Sequence, residues 1–324
     1  MISLHHRPAP GAAAFRSGAG VVATLVLITV AALPASAAPL QVVPNRVLGM
    51  AGAGRGAASG TAGPTLNPSG ISLVRSYVVE GAYQYLSDQQ GHLAHVAIAD
   101  STSASNVGGG LTYTYATAAP EGTIADADGA QKLSRHEVGL SLSFPFNDHI
   151  AIGVTGRYLR MAREFAAGGG TLPAGVTEEN TSGVTFDAGL TIRPLDRISL
   201  GFCGYGLRDM KNAQAPFGFG GGVAVVPLPE LLLVADTVVD LRSYVPEGKK
   251  AVTFAGGAEY TMVSRFALRG GGGRDGLRRA GFGTLGVSAL SESGALDLGG
   301  RLDFGQGEKT WVFGVSLRLF VPAP

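Results

Sequence analysis

The sequence is poor in cysteine, in charged residues and in long hydrophobic runs. Of its 324 residues only Cys203 is a cysteine, which excludes an intramolecular disulfide and a cysteine-rich metal site. Charged residues make up 15%, against about 25% in ordinary soluble domains. The net charge of +1 lacks the positive excess of a nucleic-acid-binding domain. No apolar run approaches the roughly 18 residues of a membrane-spanning helix.

Glycine and apolar residues, by contrast, are abundant. Fifty of the 324 residues are glycine, roughly twice the usual share. Hydrophobic residues reach 45%, so the chain can bury a core and wholesale disorder is excluded. Low charge combined with high glycine favours a membrane or secreted β protein over a soluble domain.

Residues 1–37 have the three zones of a secretory signal peptide. A basic start without acidic residues precedes an apolar run of thirteen residues at 21–33, which is too short to cross a bilayer as a helix. Ala35-Ser36-Ala37 then gives the small-x-small cleavage pattern. No cysteine stands at the cleavage junction, so a lipoprotein is not expected. We therefore expect cleavage after Ala37 and export of a chain that begins near Ala38.

From about Ser76 to the end, apolar and polar residues alternate with a period of two, which predicts β-strands. In one segment the apolar positions are Val184, Phe186, Ala188, Leu190 and Ile192. Fourteen such segments can be counted, with twelve strands as the alternative. Most are ten or more residues long, whereas globular strands average about 5–6, and this length suffices to cross a bilayer at a tilt.

The connections alternate between short turns and longer loops, which is typical of outer-membrane barrels. Charges at polar strand positions would line the lumen of such a barrel, whereas a soluble sandwich would bury them at high cost. The candidate lumen residues are Asp187, Arg193, Asp236, Asp240, Asp297 and Arg301. The sequence therefore predicts an all-β fold, an antiparallel transmembrane β-barrel formed by residues 76–324 with both ends in the periplasm.

Residues 38–75 lack alternation and are rich in glycine, alanine and serine. They contain Gly49, Gly52 and Gly54 in one motif, and Asn67-Pro68 in a second, Leu-Asn-Pro-Ser-Gly-Ile. Together these two motifs resemble the N-terminal hatch of the FadL-type outer-membrane transport family. PorV-type barrels share this type of N-terminal segment. The resemblance implies a fourteen-stranded barrel closed from inside by residues 38–72. A flexible periplasmic tail is the alternative for this composition.

The resemblance also implies a function. It suggests a channel in the outer membrane of a Gram-negative bacterium for passive uptake of hydrophobic small molecules, either fatty-acid-like or aromatic. The alternative is a PorV-like accessory barrel that supports protein secretion or surface anchoring without transporting a solute. No outer loop exceeds about eighteen residues and none contains an apolar helical hairpin, which argues against long-chain fatty acids as the substrate.

Motifs for chemistry are weak, and the sequence predicts neither an enzyme nor a cofactor or metal site. It contains no Gly-x-Ser-x-Gly and no Gly-Lys-Ser/Thr. Asp126-x-Asp128 with Glu137 imitates part of a calcium loop but lacks its turn glycine. No nucleic acid is expected as a partner.

The expected partners are outer-membrane lipid, a hydrophobic ligand and the barrel insertion machinery, which reads the final strand. Four arginines flank a run of glycines on a predicted outer loop, namely Arg269, Arg274, Arg278 and Arg279. They are interpreted as a solvated turn or, alternatively, as a contact for lipopolysaccharide phosphates.

Overall fold

The computed structural model describes residues 40–102, 106–118, 132–164, 178–212, 214–241, 250–263, 265–305 and 309–321. The predicted signal peptide and the pair Asp126 and Asp128 lie outside these ranges. Among the residues described, no helix is long and apolar enough to span a membrane.

Fourteen antiparallel strands form one closed barrel, in which each strand pairs with its neighbours in sequence and the last pairs with the first. This confirms the predicted fold class and strand number. The strands are β1 (Tyr77–Leu86), β2 (Gly91–Asp100), β3 (Gly108–Ala118), β4 (Lys132–Pro145), β5 (Ile150–Glu164), β6 (Glu178–Leu195), β7 (Ile198–Tyr205), β8 (Gly218–Leu228), β9 (Leu231–Asp240), β10 (Ala251–Met262), β11 (Phe266–Asp275), β12 (Ala280–Leu290), β13 (Gly294–Phe304) and β14 (Trp311–Val321).

The period-two pattern places apolar side chains on the outer face of the barrel and polar or small ones inside. On β4, Leu140 is 62% exposed, while its neighbour Ser141 is fully buried. Large outward residues continue this exposed apolar surface around the barrel, including Phe186, Phe202, Leu285 and Leu317. An exposed apolar band around a polar interior is the arrangement of a membrane barrel.

One predicted boundary is wrong. The sequence places an outer loop at residues 271–279, but β11 continues to Asp275 and only residues 276–279 form the turn. Gly271 pairs with Gly257 of β10, and Gly272 pairs with Gly283 of β12. Glycine has low β-propensity, so this run was interpreted as a loop.

The two ends of the barrel differ. We call the end that holds Tyr77 and Val321 the turn end, and the opposite end, where β1 meets β2 at residues 87–90, the loop end. Leu40 packs in a buried cluster with Leu86, Leu93 and Leu133, all near the loop end of their strands. Residues 40–76, the N-terminal segment, therefore run along the barrel interior from the loop end to the turn end.

Short helical turns give the N-terminal segment its shape. Its α-helices are α1 (Asn45–Leu48) and α2 (Gly63–Leu66), with 3-10 turns at Gly60–Ala62 and Pro68–Leu73. Val47, Ala58, Ala62 and Leu66 form a small buried cluster within the segment. The segment thus has a core of its own, although it depends on the barrel wall for its remaining contacts.

Inward-facing glycines of the wall make room for this segment. A Cβ added at Gly189 would lie 2.1 Å from Asn67 Oδ1, and one at Gly153 would lie 2.4 Å from the carbonyl carbon of Pro68. We call this set the glycine belt; its members are Gly153, Gly189, Gly201, Gly257, Gly271, Gly286, Gly299 and Gly314. A part of the high glycine content therefore serves close packing between the wall and the segment.

Candidate functional site

Asn67 ties the N-terminal segment to itself and to the wall. Its side-chain amide donates to the Arg55 carbonyl at 3.1 Å and to Thr191 Oγ1 of β6 at 3.2 Å. Its Oδ1 accepts from the backbone N–H and the hydroxyl of Ser69. Pro68 follows as the first residue of the 3-10 turn, where its fixed φ suits the backbone. This side chain is fully buried, so losing it would leave several polar groups without partners.

The three motif glycines serve two different purposes. Gly52 has a φ of +73° and Gly54 a φ of +144°, which are backbone conformations that favour glycine. Gly49 instead allows close approach, because a Cβ there would lie 3.1 Å from the Cα of Gly286. Thr284 of β12 fixes this contact by donating to the Gly49 carbonyl at 3.0 Å.

Two ion pairs join the segment to β9 and β10. Arg55 Nη1 lies 2.9 Å from Asp236 Oδ2 on β9, and the same oxygen accepts from the backbone N–H of Gly54. Arg46 forms a bidentate pair with Glu259 of β10, with distances of 2.7 and 2.9 Å. The attraction of Glu259 raises the pKa of Arg46, so its guanidinium stays charged. Removing one partner of such a buried pair leaves an uncompensated charge.

A cavity of about 190 Å³ lies between the N-terminal segment and the loop end. We call it the chamber. Its apolar lining comes mainly from the segment and from the connection between β7 and β8, and includes Leu40, Val42, Val43, Leu66, Met210 and Pro216. Leu159 and Val238 add apolar surface from the wall.

One wall of the chamber carries four charges of alternating sign. Arg135 and Arg157 both bond to Glu137, and Arg157 also bonds to Asp187 of β6. Arg157 Nη2 donates at 2.7 Å to the carbonyl of Pro64 in the segment. We call these four residues the charge ladder. Their formal charges sum to zero, and each takes part in at least one ion pair within the set.

The connection between β7 and β8, described at residues 206–212 and 214–217, folds into the barrel. Gly206 has a φ of +62° and donates its N–H to Asp187 at 2.9 Å. Gln214 is buried; it accepts from the Leu40 N–H through its side chain and from Arg135 through its carbonyl. The sequence predicts an outer loop at residues 209–214. The structure instead places the described part of this connection over the chamber, because Asp187, Leu40 and Arg135 form hydrogen bonds with it.

The predicted lumen residues are distributed over several places. Asp187 belongs to the charge ladder, Asp236 holds Arg55, and Asp240 is buried beside the chamber. Two others lie apart from the chamber: Asp297 accepts from Arg318 at 2.7 Å, and Arg301 pairs with Asp275 and Asp303. Arg193 is half-buried near the turn end, where its backbone pairs with His149.

Sequence reasoning missed several contributors to the site. Glu137 and Arg157 occupy polar positions of the alternating pattern, and that phase could have identified them as inward-facing. The pairing of Arg157 with Asp187 depends on strand register, which the pattern does not give. Glu259 and the glycine belt were missed as well, because their partner is the N-terminal segment.

The four arginines of the predicted outer loop do not form one surface. Arg269 is inside the barrel, only 4% exposed, and its Nε donates to Glu259 at 2.6 Å. Arg278 pairs with Asp88 and Asp303, whereas Arg274 is exposed on the outer face. The prediction that these four arginines lie together on a loop is wrong, because β11 continues through the glycines. Within the described ranges, no group of three or more His, Cys, Asp or Glu could hold a metal ion.

Comparison with protein-family models finds no match, and comparison with curated protein sequences finds none either. Solved structures do match. The Pseudomonas putida toluene transporter TodX aligns with a TM-score of 0.65 and 10% identity, over 88% of this chain and 98% of that one. A monoaromatic hydrocarbon channel, CymD, gives a TM-score of 0.62 and 10% identity over 85% and 96%.

A Pseudomonas aeruginosa FadL homologue aligns with a TM-score of 0.60 and 13% identity, over 89% of this chain and 98% of the homologue. These three structures are described as transporters, channels or FadL homologues rather than as enzymes. At identities this low, the structural alignments establish the fold alone. They cover nearly the whole of each of the three structures. The chain therefore has the fold of a FadL-type β-barrel.

Proposed function

We propose that this protein is an outer-membrane channel through which small, uncharged hydrophobic molecules diffuse passively. The FadL-type fold supports this function, since similar structures carry the names toluene transporter and monoaromatic hydrocarbon channel. We further propose that the chain reaches the outer membrane after cleavage of the signal peptide at Ala37.

The observation that carries the proposal is the chamber. Its volume of about 190 Å³ lies below the roughly 300–1,000 Å³ of pockets for drug-sized ligands. An apolar cavity of about 150 Å³ is known to accommodate benzene. The chamber therefore suits a molecule with one aromatic ring better than a long-chain fatty acid.

The charge ladder favours an uncharged substrate. Its four charges are paired with one another and sum to zero, so a substrate ion would lose its water without gaining a net opposite charge from the ladder. A neutral ring can rest against the apolar residues of the N-terminal segment. We therefore place neutral monoaromatic compounds above their carboxylated analogues as substrates.

The N-terminal segment acts as the hatch in this proposal. The glycine belt lets the wall pack closely against it at eight positions, and we infer that the segment thereby restricts passage toward the turn end. The seam between β6 and β7 offers a side exit, because its ladder has six paired positions and an irregularity between Ile192 and Leu195. Every other strand pair in the described barrel has at least eight paired positions, the shortest being β7 with β8. Asp187, Cys203 and Gly204 at this seam also line the chamber.

Uptake in whole cells tests the proposal, because the lipopolysaccharide layer limits direct entry of hydrophobic solutes. A strain lacking this protein should take up radiolabelled toluene more slowly than its parent, while benzoate uptake stays unchanged. Complementation should restore toluene uptake.

The accessory function predicts the opposite result. If the deletion leaves toluene uptake intact while a surface protein is lost from the cell, the barrel supports secretion or anchoring and the channel proposal is wrong. The surface proteome of the same two strains provides this comparison.

A further inference from the structure

The outer face of β3–β5 carries a polar cluster near the loop end. Tyr113 and Tyr115 of β3, His136 of β4 and Arg160 of β5 are all exposed. Tyr113 Oη and His136 Nδ1 share a hydrogen bond of 3.0 Å, and the rings of Tyr115 and His136 lie 4.9 Å apart. Arg160 is paired in register with His136, so their side chains stand next to each other on the same face.

The guanidinium of Arg160 is the group in this cluster that we consider for ligand binding. It makes no hydrogen bond and no ion pair with any residue in the described ranges. An exposed guanidinium beside tyrosine hydroxyls and an imidazole offers several hydrogen-bond donors on one small surface. This donor set matches the oxygen atoms of a phosphate group.

The height of this cluster matches the edge of the membrane. Below Arg160 the outward residues of β5 are Tyr158, Gly156 and then the apolar Val154, Ile152 and Ile150. The ten residue-to-residue steps from Ile150 to Arg160 rise about 25 Å on a tilted strand, which is the usual height of the apolar band. Arg160 therefore lies where hydrocarbon gives way to lipid headgroups.

We propose that Arg160, His136 and the flanking tyrosines bind the phosphate of a lipid in the outer leaflet. The inference rests on the proposed outer-membrane location but does not depend on which solute passes through the barrel. It also moves the expected lipopolysaccharide contact from the arginines near β11 to the wall formed by β3–β5.

The chain contains a second cluster that serves as a control. On β1 and β2, Tyr83 and His92 share a hydrogen bond of 2.6 Å, and the rings of Tyr85 and His92 are 5.2 Å apart. His92 is paired in register with Thr117 rather than with an arginine. Arg274 provides the converse control, since it is exposed on the outer face and is paired in register with Phe254 and Gly281.

Native mass spectrometry of the full protein in detergent tests the proposal, with bisphosphorylated lipid A and its phosphate-free form as probes. The wild-type protein should bind the phosphorylated lipid about fivefold more tightly, as expected for one arginine near a membrane surface. Arg160→Gln should abolish this preference, while His92→Gln and Arg274→Gln should retain it. Toluene uptake by cells carrying Arg160→Gln should equal that of the wild type.

Three results would overturn this assignment. One is equal affinity of the wild-type protein for the two forms of lipid A. Another is an equal loss of preference in Arg160→Gln and Arg274→Gln, which would reduce the effect to unspecific charge. Displacement of the lipid by inorganic phosphate at millimolar concentration would also refute a lipid-specific site. Heat-modifiable migration of each variant in gels establishes that its barrel is folded.

Discussion

Substituting Gly189 should release the N-terminal segment without disturbing the barrel. A Cβ at this position would lie 2.1 Å from Asn67 Oδ1 and 2.9 Å from Pro68 Cδ, whereas ordinary contacts begin near 3.4 Å. The interior is closely packed, so in Gly189→Ala the Asn67-Pro68 turn must retreat by about 1 Å. Such a shift stretches the hydrogen bonds of Asn67 to Arg55 and Thr191 beyond useful range.

The expected magnitude follows from these bonds. Each contributes about 1 kcal/mol net, so losing two or three weakens docking by roughly 2–3 kcal/mol. That corresponds to about a 30- to 150-fold rise in the undocked population of the segment. Planar-bilayer recordings of the purified variant should show frequent openings that the wild-type protein lacks, and added protease should cleave the segment faster.

Gly81→Ala and Gly109→Ala are the matched controls, because a Cβ at either position meets no heavy atom within 4 Å. Both should behave like the wild-type protein, and all three variants should keep heat-modifiable migration in gels. If Gly189→Ala conducts and resists protease as the controls do, the glycine belt does not hold the segment and this reasoning is wrong.

Two further predictions concern the lipid face and the ion pairs. Leu140→Arg should destabilise the barrel by about 2–4 kcal/mol in urea unfolding from bilayers, while Leu140→Phe should have little effect; equal stability of both variants would contradict the outward assignment of Leu140. Arg55→Met should weaken docking of the segment by about 3–5 kcal/mol, because Asp236 keeps a buried charge without its partner. Adding Asp236→Asn to this variant should restore protease resistance, because the amide removes the charge while its oxygen still accepts from the Gly54 N–H; failure of the double variant to do so would argue against the ion pair.

The fold could be predicted from the sequence because membrane barrels impose a simple physical rule. Lipid on one side and polar groups on the other force a period of two, and residues such as Leu140 and Ser141 follow it. The rule gives strand number and the facing of each residue. It failed at β11, where glycines occupy the positions of both faces and the alternation disappears.

The site could be predicted only in part, since it depends on contacts between distant residues. The motif with Asn67 and Pro68 identified the segment, and alternation identified Asp187 and Asp236 as polar strand positions. The wall glycines that pack against the Asn67-Pro68 turn show no local sequence signal, because the segment that they contact is distant in the sequence. The inward fold of residues 206–217 likewise depends on Arg135 and Leu40, which are far away in the sequence.

The most direct measurement of the central claim is toluene uptake by cells that carry either Val238→Trp or Val239→Trp. These neighbours on β9 point to opposite faces, and Val238 lines the chamber. Val238→Trp should fill the chamber and reduce uptake to the level of the deletion strain, while Val239→Trp, at the lipid face, should transport as the wild type does. Equal uptake by both variants, at equal amounts of folded barrel, would contradict passage through the chamber.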